Sequence, residues 1–499
     1  MPNNTVKGDQ LTMLILAGKT FAYSAGNIRF LCITDPELVK EVSLHTSLDL
    51  GKPSYLSKDR GPLFGQGILS SNGPYWSHQR KIIAPHLYPD KVKDMVTLMA
   101  NATSTVLHSW ESKIKQSGDF ADIRIDNDLR SVSADIISRA CFGSNYSQGE
   151  MIFSKLRALQ GVMSKASIGV PVLRYVPSKN NRETWKLEND INSRIIQVVK
   201  SSDEGTGGKD LLQTIIEAAK KDGGEANKWI HIDSHKFVVD NCKSLYFAGY
   251  ETTATSASWC LMLLAKYPEW QSRCRAEVLD ICRDKLPDMT MLQSMKMLTM
   301  VIQEALRLYP PVAFTVRETL KDIKFKNILI PKGINVQIVI PMLHQQAELW
   351  GSDVYEFKPE RFAEGTKSAC KIPQAYMPFG MGPRICAGQH FAITELKTSK
   401  CSWHLLLSVL NSSKPESRII VTDHKKNLQC NQHSSNEKRP KFLFLVIDYT
   451  TGKLTLIFQE ALLILTHGYT GKKHTRTLIF QATRLSIVNI SSFHNWSSL

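Results

Sequence analysis

The chain has 499 residues, 42% of them hydrophobic and 22% charged, a composition that excludes a disordered or fibrous protein. Ten cysteines without a C-x-x-C pair exclude a zinc module and a disulfide framework, and point to a reducing, cytosol-facing environment. The formal charge of +16 is unevenly spread, since residues 398–499 hold 13 Lys and Arg against 5 Asp and Glu; with no zinc-finger, RNP or Arg-rich signature it gives no nucleic-acid partner.

In chain order, the early apolar run 11–17 is broken by Thr12 and falls far short of the ~20 residues a membrane span needs. It also lacks the basic start and apolar core of a signal peptide, so the sequence alone reads as soluble. Residues 20–34 predict two short strands about Ala25-Gly26-Asn27, and Asp35-Pro36 then opens a helix through Val42. Residues 61–74, with Gly65, Gly67 and Gly73, predict a flexible loop before a helix that starts near Tyr75. That helix carries Trp76 and Arg80 four positions apart, hence on one face. An indole N–H and a guanidinium aimed the same way suit a carboxylate, although a structural Trp beside a solvated Arg satisfies the same pattern.

Apolar spacing is helical over 92–143 and 151–163. Residues 169–191 interrupt the helices, and 201–209 read as a surface linker. A long helix is predicted over 235–267, and its middle reads Ala248-Gly249-Tyr250-Glu251-Thr252-Thr253. Glycine and polar residues are poor choices inside a buried helix, so either chemistry or a kink bonded by threonine hydroxyls must reward them. Glu304 and Arg307 sit on a helix ended by Pro310-Pro311. Pro359-Glu360-Arg361-Phe362 follows at a distance. Between them, Arg317 reads as an exposed strand residue or an anion contact, and 322–340 predicts a hairpin around Pro331-Lys332-Gly333.

The stretch Pro378-Phe379-Gly380-Met381-Gly382-Pro383-Arg384-Ile385-Cys386-Ala387-Gly388 is the centre of the chain. A metal-bound thiolate wants backbone N–H donors around its sulfur, and Gly380, Gly382 and Gly388 let the backbone close over it. A glycine-rich turn with a buried free cysteine is the plainer reading. The five positions of F-x-x-G-x-R-x-C-x-G together resemble the ligand loop of the cytochrome P-450 family of heme-thiolate monooxygenases. Ordered before it stand W-x-x-x-R at 76–80, A-G-x-[DE]-T at 248–252, E-x-x-R at 304–307 and P-E-R-F at 359–362.

The resemblance implies a mainly α fold with small β-sheets, in which heme b lies between a long central helix and the Cys386 loop. It makes Cys386 the axial thiolate on iron and sets Phe379 on the porphyrin. It gives Trp76, Arg80, Arg317 and Arg384 to the propionates. Thr252 would hold a water at the dioxygen site and Glu251 would link that water to bulk protons. Glu304, Arg307 and Arg361 would form a buried structural network, while Val312, Ala313 and Phe314 would line a pocket roofed by the 61–74 loop. An NADPH-dependent reductase would supply electrons, meeting a basic face that includes Lys81, Lys91 and Lys93. The expected location is the cytosolic face of the endoplasmic reticulum membrane, although the family's N-terminal anchor is not seen in this sequence.

The segments 48–53, 67–69 and 243–253 resemble plant enzymes of the 72 clan, which include gibberellin-oxidising members. The implied reaction inserts one oxygen atom of dioxygen into an apolar small molecule, with a gibberellin-like diterpenoid as the candidate. The resemblance covers 20–397. It gives a monooxygenase domain over 1–397 and an atypical segment over 398–499, in which Thr455-Leu456-Ile457-Phe458-Gln459 recurs at 477–481. A heme-binding but inactive variant is the competing expectation, because both ends depart from the pattern.

Overall fold

In a computed structural model of the chain, the residues described are 20–116, 120–123, 125–143, 146–164, 175–203, 210–221, 234–283, 285–399, 401, 418–420, 446–448 and 453–455. Strand β1 (Thr20–Ala25) and strand β2 (Ile28–Ile33) form the expected antiparallel pair. The next helix, Pro36–Leu44, starts where Asp35 accepts from the Leu38 N–H at 2.8 Å, an N-cap followed by proline at the first helical position. Three further strands complete one sheet: β3 (Leu50–Gly51), β4 (Phe314–Thr319) and β5 (Asn335–Val339), in the order β1-β2-β5-β4-β3. Strand β2 runs parallel to β5, and β4 is antiparallel to both β5 and β3. Every residue of β5 is buried, as befits a strand paired on both sides. The sheet therefore binds residues 20–33 and 50–51 to residues 314–319 and 335–339, far along the chain.

The expected hairpin at 322–340 is corrected in its turn. Ile323–Phe325 pairs with Ile328–Ile330, so the chain reverses at Lys326-Asn327, where Lys326 takes a φ of 47°. Pro331-Lys332-Gly333 instead leads into β5, with the Gly333 N–H donating to the Thr319 carbonyl at 2.8 Å. The residues before it read as turn formers because Pro and Gly dominate turn statistics, but a proline there only ends the second strand.

The body is helical, as expected. The helices that bear on the site are α1 (Gly73–Ile83), α2 (Ile125–Phe142), α3 (Ser234–Lys266) and α4 (Lys296–Leu308). With 33 residues, α3 is roughly 50 Å long at 1.5 Å per residue. It belongs to two cores. Its first half, Phe237 to Tyr250, packs with Ile136, Ile137, Phe142 and Phe153, whereas Ala254 to Leu264 pack with Trp270, Leu298 and Leu306. Glu251-Thr252-Thr253 falls at the seam. Gly249 lies where α3 meets α2, and a Cβ there would come within 2.6 Å of the Ile137 side chain. Close approach of two helices thus accounts for this glycine.

The 61–74 segment contains a one-turn helix, Gly61–Phe64, and is fastened to α3. Asp240 accepts from the Gln66 N–H at 2.8 Å and Asn241 from the Ile68 N–H at 3.1 Å. Of the expected atypical segment, Arg418–Ile420 pairs in parallel with Phe120–Asp122, and Val446–Asp448 is antiparallel to Lys453–Thr455. The 11–17 run and the 477–481 repeat lie outside the described residues. Among the described residues no helix is long and apolar enough to cross a membrane.

Candidate functional site

The 378–388 loop is built from its first backbone bond. Just before it, the Met377 N–H donates to His344 Nε2 at 3.0 Å, and His344 Nδ1 meets the Arg307 carbonyl at 3.0 Å. The imidazole is buried, and since Nε2 accepts, Nδ1 carries the only proton. The chain then turns through Gly380 (φ 72°) and Gly382 (φ 71°). A Cβ on Gly382 would lie 2.0 Å from the Ser43 carbonyl oxygen, so no side chain fits there. The Cys386 N–H closes the loop on the Phe379 carbonyl at 2.9 Å.

Burial pushes the Cys386 thiol up, while a hydrogen bond from the Gly388 N–H and the nearby Arg80 pull it down. Gly388 contributes that N–H and little by its lack of a side chain, because a Cβ there would make only ordinary contact with Leu87 at 3.9 Å. Cys386 is solvent-accessible.

Cations gather at the same place. Arg80, from α1, donates to the Ile385 carbonyl at 2.6 Å, which ties α1 to the loop. Arg384 stacks its guanidinium over the Trp76 ring at 4.0 Å and donates to the Ser71 carbonyl at 2.9 Å and Asn72 Oδ1 at 3.0 Å. Burial lowers Arg384 to about 9, with Arg317 and Arg80 adding repulsion. Burial also takes Arg317, on β4, down to about 10. Lys52, one residue beyond β3, is held well below its usual range by burial and then by Arg317 and Arg384. Sequence reading missed Lys52; a lone lysine after a two-residue strand carries no motif. Among the described residues no ion pair neutralises any of these four cations. All four are half-buried, and cations partly withdrawn from water without a partner are costly, so the cluster asks for anions. An accessible cysteine beside cations that lack counter-ions would suit a heme, whose iron would accept a thiolate and whose two propionates would answer the cations.

Thr252 and Glu251 stand on α3, and no hydrogen bond among the described residues joins them to the loop. From Leu245 to Cys260 only Ala248, Gly249, Thr252 and Thr255 keep partial exposure. Spaced at 0, 1, 4 and 7, they form one stripe of the helix. The Thr252 hydroxyl donates back to the Ala248 carbonyl at 2.8 Å, and its lone pairs are available to accept. Glu251 is buried and paired with Arg130 of α2 at 2.9 Å, and Arg130 also meets Asp126 at 2.8 Å. Arg130 was legible only as an ordinary i,i+4 partner of Asp126.

Beneath the loop, Arg307 holds Glu304 through two bonds of 2.7 and 2.8 Å and donates to the carbonyls of His344, Val354 and Glu356. Arg361 reaches Glu304 at 3.5 Å and Asp353 at 2.6 Å. The three expected residues thus come together, with Glu304 and Arg307 fully buried. Behind the loop a cleft of about 770 Å³ is lined by Gln303, Phe379, Gly380, Ile385 and His390. Cys386 is not among its walls, and Phe379 borders it. Lys81, Lys91 and Lys93 are exposed.

Comparison with known proteins identifies the family. The family model "Cytochrome P450" matches residues 16–413, so the likeness runs past the expected limit at Lys397. The chain is 51% identical over 385 residues to "Cytochrome P450 714C2" of Oryza sativa subsp. japonica, covering 76% of this chain and 73% of that protein. "Cytochrome P450 714A2" of Arabidopsis thaliana is 44% identical over 420 residues, covering 81% of this chain and 79% of that protein. Among solved structures, the crystal structure of a cytochrome P450DA heme domain superposes with a TM-score of 0.65 at 22% identity, over 80% of this chain and 84% of that one. The chain belongs to the cytochrome P450 family and is a heme-thiolate monooxygenase.

Proposed function

We propose that Cys386 is the axial ligand, that Trp76, Arg80, Arg317 and Arg384 hold the propionates, and that Phe379 packs on the porphyrin beside the sulfur. The observation that carries this reading is the solvent-accessible Cys386 beside half-buried cations that no carboxylate of the described residues answers. Bound there, the heme iron supplies dioxygen activation and the transfer of one oxygen atom to substrate. The chain's own residues bind, orient and move protons. The Gly388 N–H shares the charge of the thiolate, and the Trp76 ring carries the Arg384 guanidinium 4.0 Å above its centre. Thr252 accepts a water's hydrogen bond at the α3 stripe, and Glu251, oriented by Arg130, passes protons toward it.

The substrate we propose is an apolar small molecule, with a gibberellin-like diterpenoid acid as the first candidate. Its support is the likeness of 48–53, 67–69 and 243–253 to plant 72-clan enzymes that include gibberellin oxidisers. Electrons come from an NADPH-dependent reductase that docks on the face carrying Lys81, Lys91 and Lys93, at the cytosolic side of the endoplasmic reticulum membrane. The reduced protein with carbon monoxide tests the site: wild type should give the strongly red-shifted thiolate Soret band, and Cys386→Ser should lose it. A thiolate band that survives in the variant would show that another residue is the ligand. Diterpenoid acids, added to the oxidised wild type, should then shift its spin state.

A further inference from the structure

We infer that Lys52 is a further propionate-binding residue, acting as a pair with Arg317 across the antiparallel edge of the sheet. The inference rests on the heme site proposed above. Its geometry comes from strand register: β3 pairs Leu50 with Thr319 and Gly51 with Glu318, so the next step sets Lys52 opposite Arg317. Residues directly opposite in an antiparallel ladder project from the same face. Two cations so placed repel one another and destabilise the pair unless an anion lies between them.

The placement of Lys52 is enforced. Asn72 grips its backbone twice, accepting from the Lys52 N–H and donating to the Lys52 carbonyl at 2.8 Å. The same Asn72 oxygen takes a bond from Arg384 at 3.0 Å, so one amide fixes Lys52 and Arg384 together. A lysine that merely covered the surface would extend its ammonium to water. This one is half-buried beside two guanidiniums, and no carboxylate of the described residues pairs with it. The ligand that suits this arrangement is a carboxylate held between an ammonium and a guanidinium, each donating a charge-assisted hydrogen bond. A heme propionate has that chemistry, and Arg384 on Trp76 stands next to it.

The test is the rate at which the purified holoprotein gives up heme to excess apomyoglobin. Lys52→Met should release heme roughly tenfold faster or more, the scale of one lost charged hydrogen bond. Lys52→Arg, which keeps the charge, should stay near wild type. Both should retain the thiolate band with carbon monoxide, showing that the Cys386 loop is intact. Reconstitution with heme dimethyl ester, whose propionates carry no charge, should erase the difference between wild type and Lys52→Met. Equal release rates with ordinary heme would overturn the inference, as would a difference that persists with the ester. A wild type without a thiolate band would overturn both this inference and the site on which it rests. Should Lys52→Met fail to fold, Lys52→Gln serves in the same comparison.

Discussion

His344 does its work only as a neutral imidazole. It accepts from the Met377 N–H and donates to the Arg307 carbonyl, so a second proton would destroy the bond that starts the Cys386 loop. Burial lowers the ring to about 3 from its usual 6.5. The unfolded chain therefore binds more protons than the folded one between those values, and stability falls as pH drops through that window. A gap of that size corresponds to roughly 5 kcal/mol. Urea unfolding of the holoprotein should show full stability above pH 6.5 and a steady loss toward pH 4, and His344→Gln should flatten that slope. If the slope is unchanged in the variant, His344 is not its source. One histidine after a strand has no spacing to announce it in the sequence. Cys386, Arg384 and Trp76 were legible because their residue types recur at fixed offsets.

At the scale of elements, α3 is a helix whose polar turn lies at the seam between two apolar cores. The sequence showed that something must reward Gly249 and Glu251-Thr252-Thr253, but the reward comes from α2, which local pattern does not reach. Ile137 packs against Gly249 and Arg130 pairs with Glu251. Arg130→Met should free the Glu251 carboxylate from its partner while leaving the thiolate band untouched. We expect product formation to slow several-fold and more reducing equivalents to be lost as peroxide, read by comparing NADPH consumed with product formed. Unchanged coupling would mean that the ion pair is purely structural. Filling the contact is a separate test: Gly249→Val overpacks it and should cost about 1–3 kcal/mol, measured by denaturant unfolding.

At the scale of the whole molecule, the Glu304–Arg307–Arg361 network ties α4 to the segment that precedes the Cys386 loop. Glu304→Leu should leave the fully buried Arg307 without its partner and cost roughly 3–5 kcal/mol, seen as a lower midpoint in thermal or urea unfolding. A change under about 1 kcal/mol would place the network among ordinary surface pairs. The fold class and the long helix were legible because 3.6-residue periodicity survives in sequence. Sheet order was not. The two-residue β3 has no pattern of its own, and its partner lies far along the chain. Lys52 was hidden for the same reason, since only register brings it opposite Arg317.

The parallel pairing of β2 with β5 places Phe30 beside Asn335, about 300 residues later. A ribosome adding roughly 5–20 residues per second therefore leaves the edge of the first hairpin unpaired for something like 15–60 seconds before its neighbour emerges. During that interval the open strand is a template for the wrong partner. Yield of this protein in a cell should accordingly depend on chaperones that shield nascent β-edges, and on elongation speed between codons 30 and 335, even though the finished molecule is mostly helix.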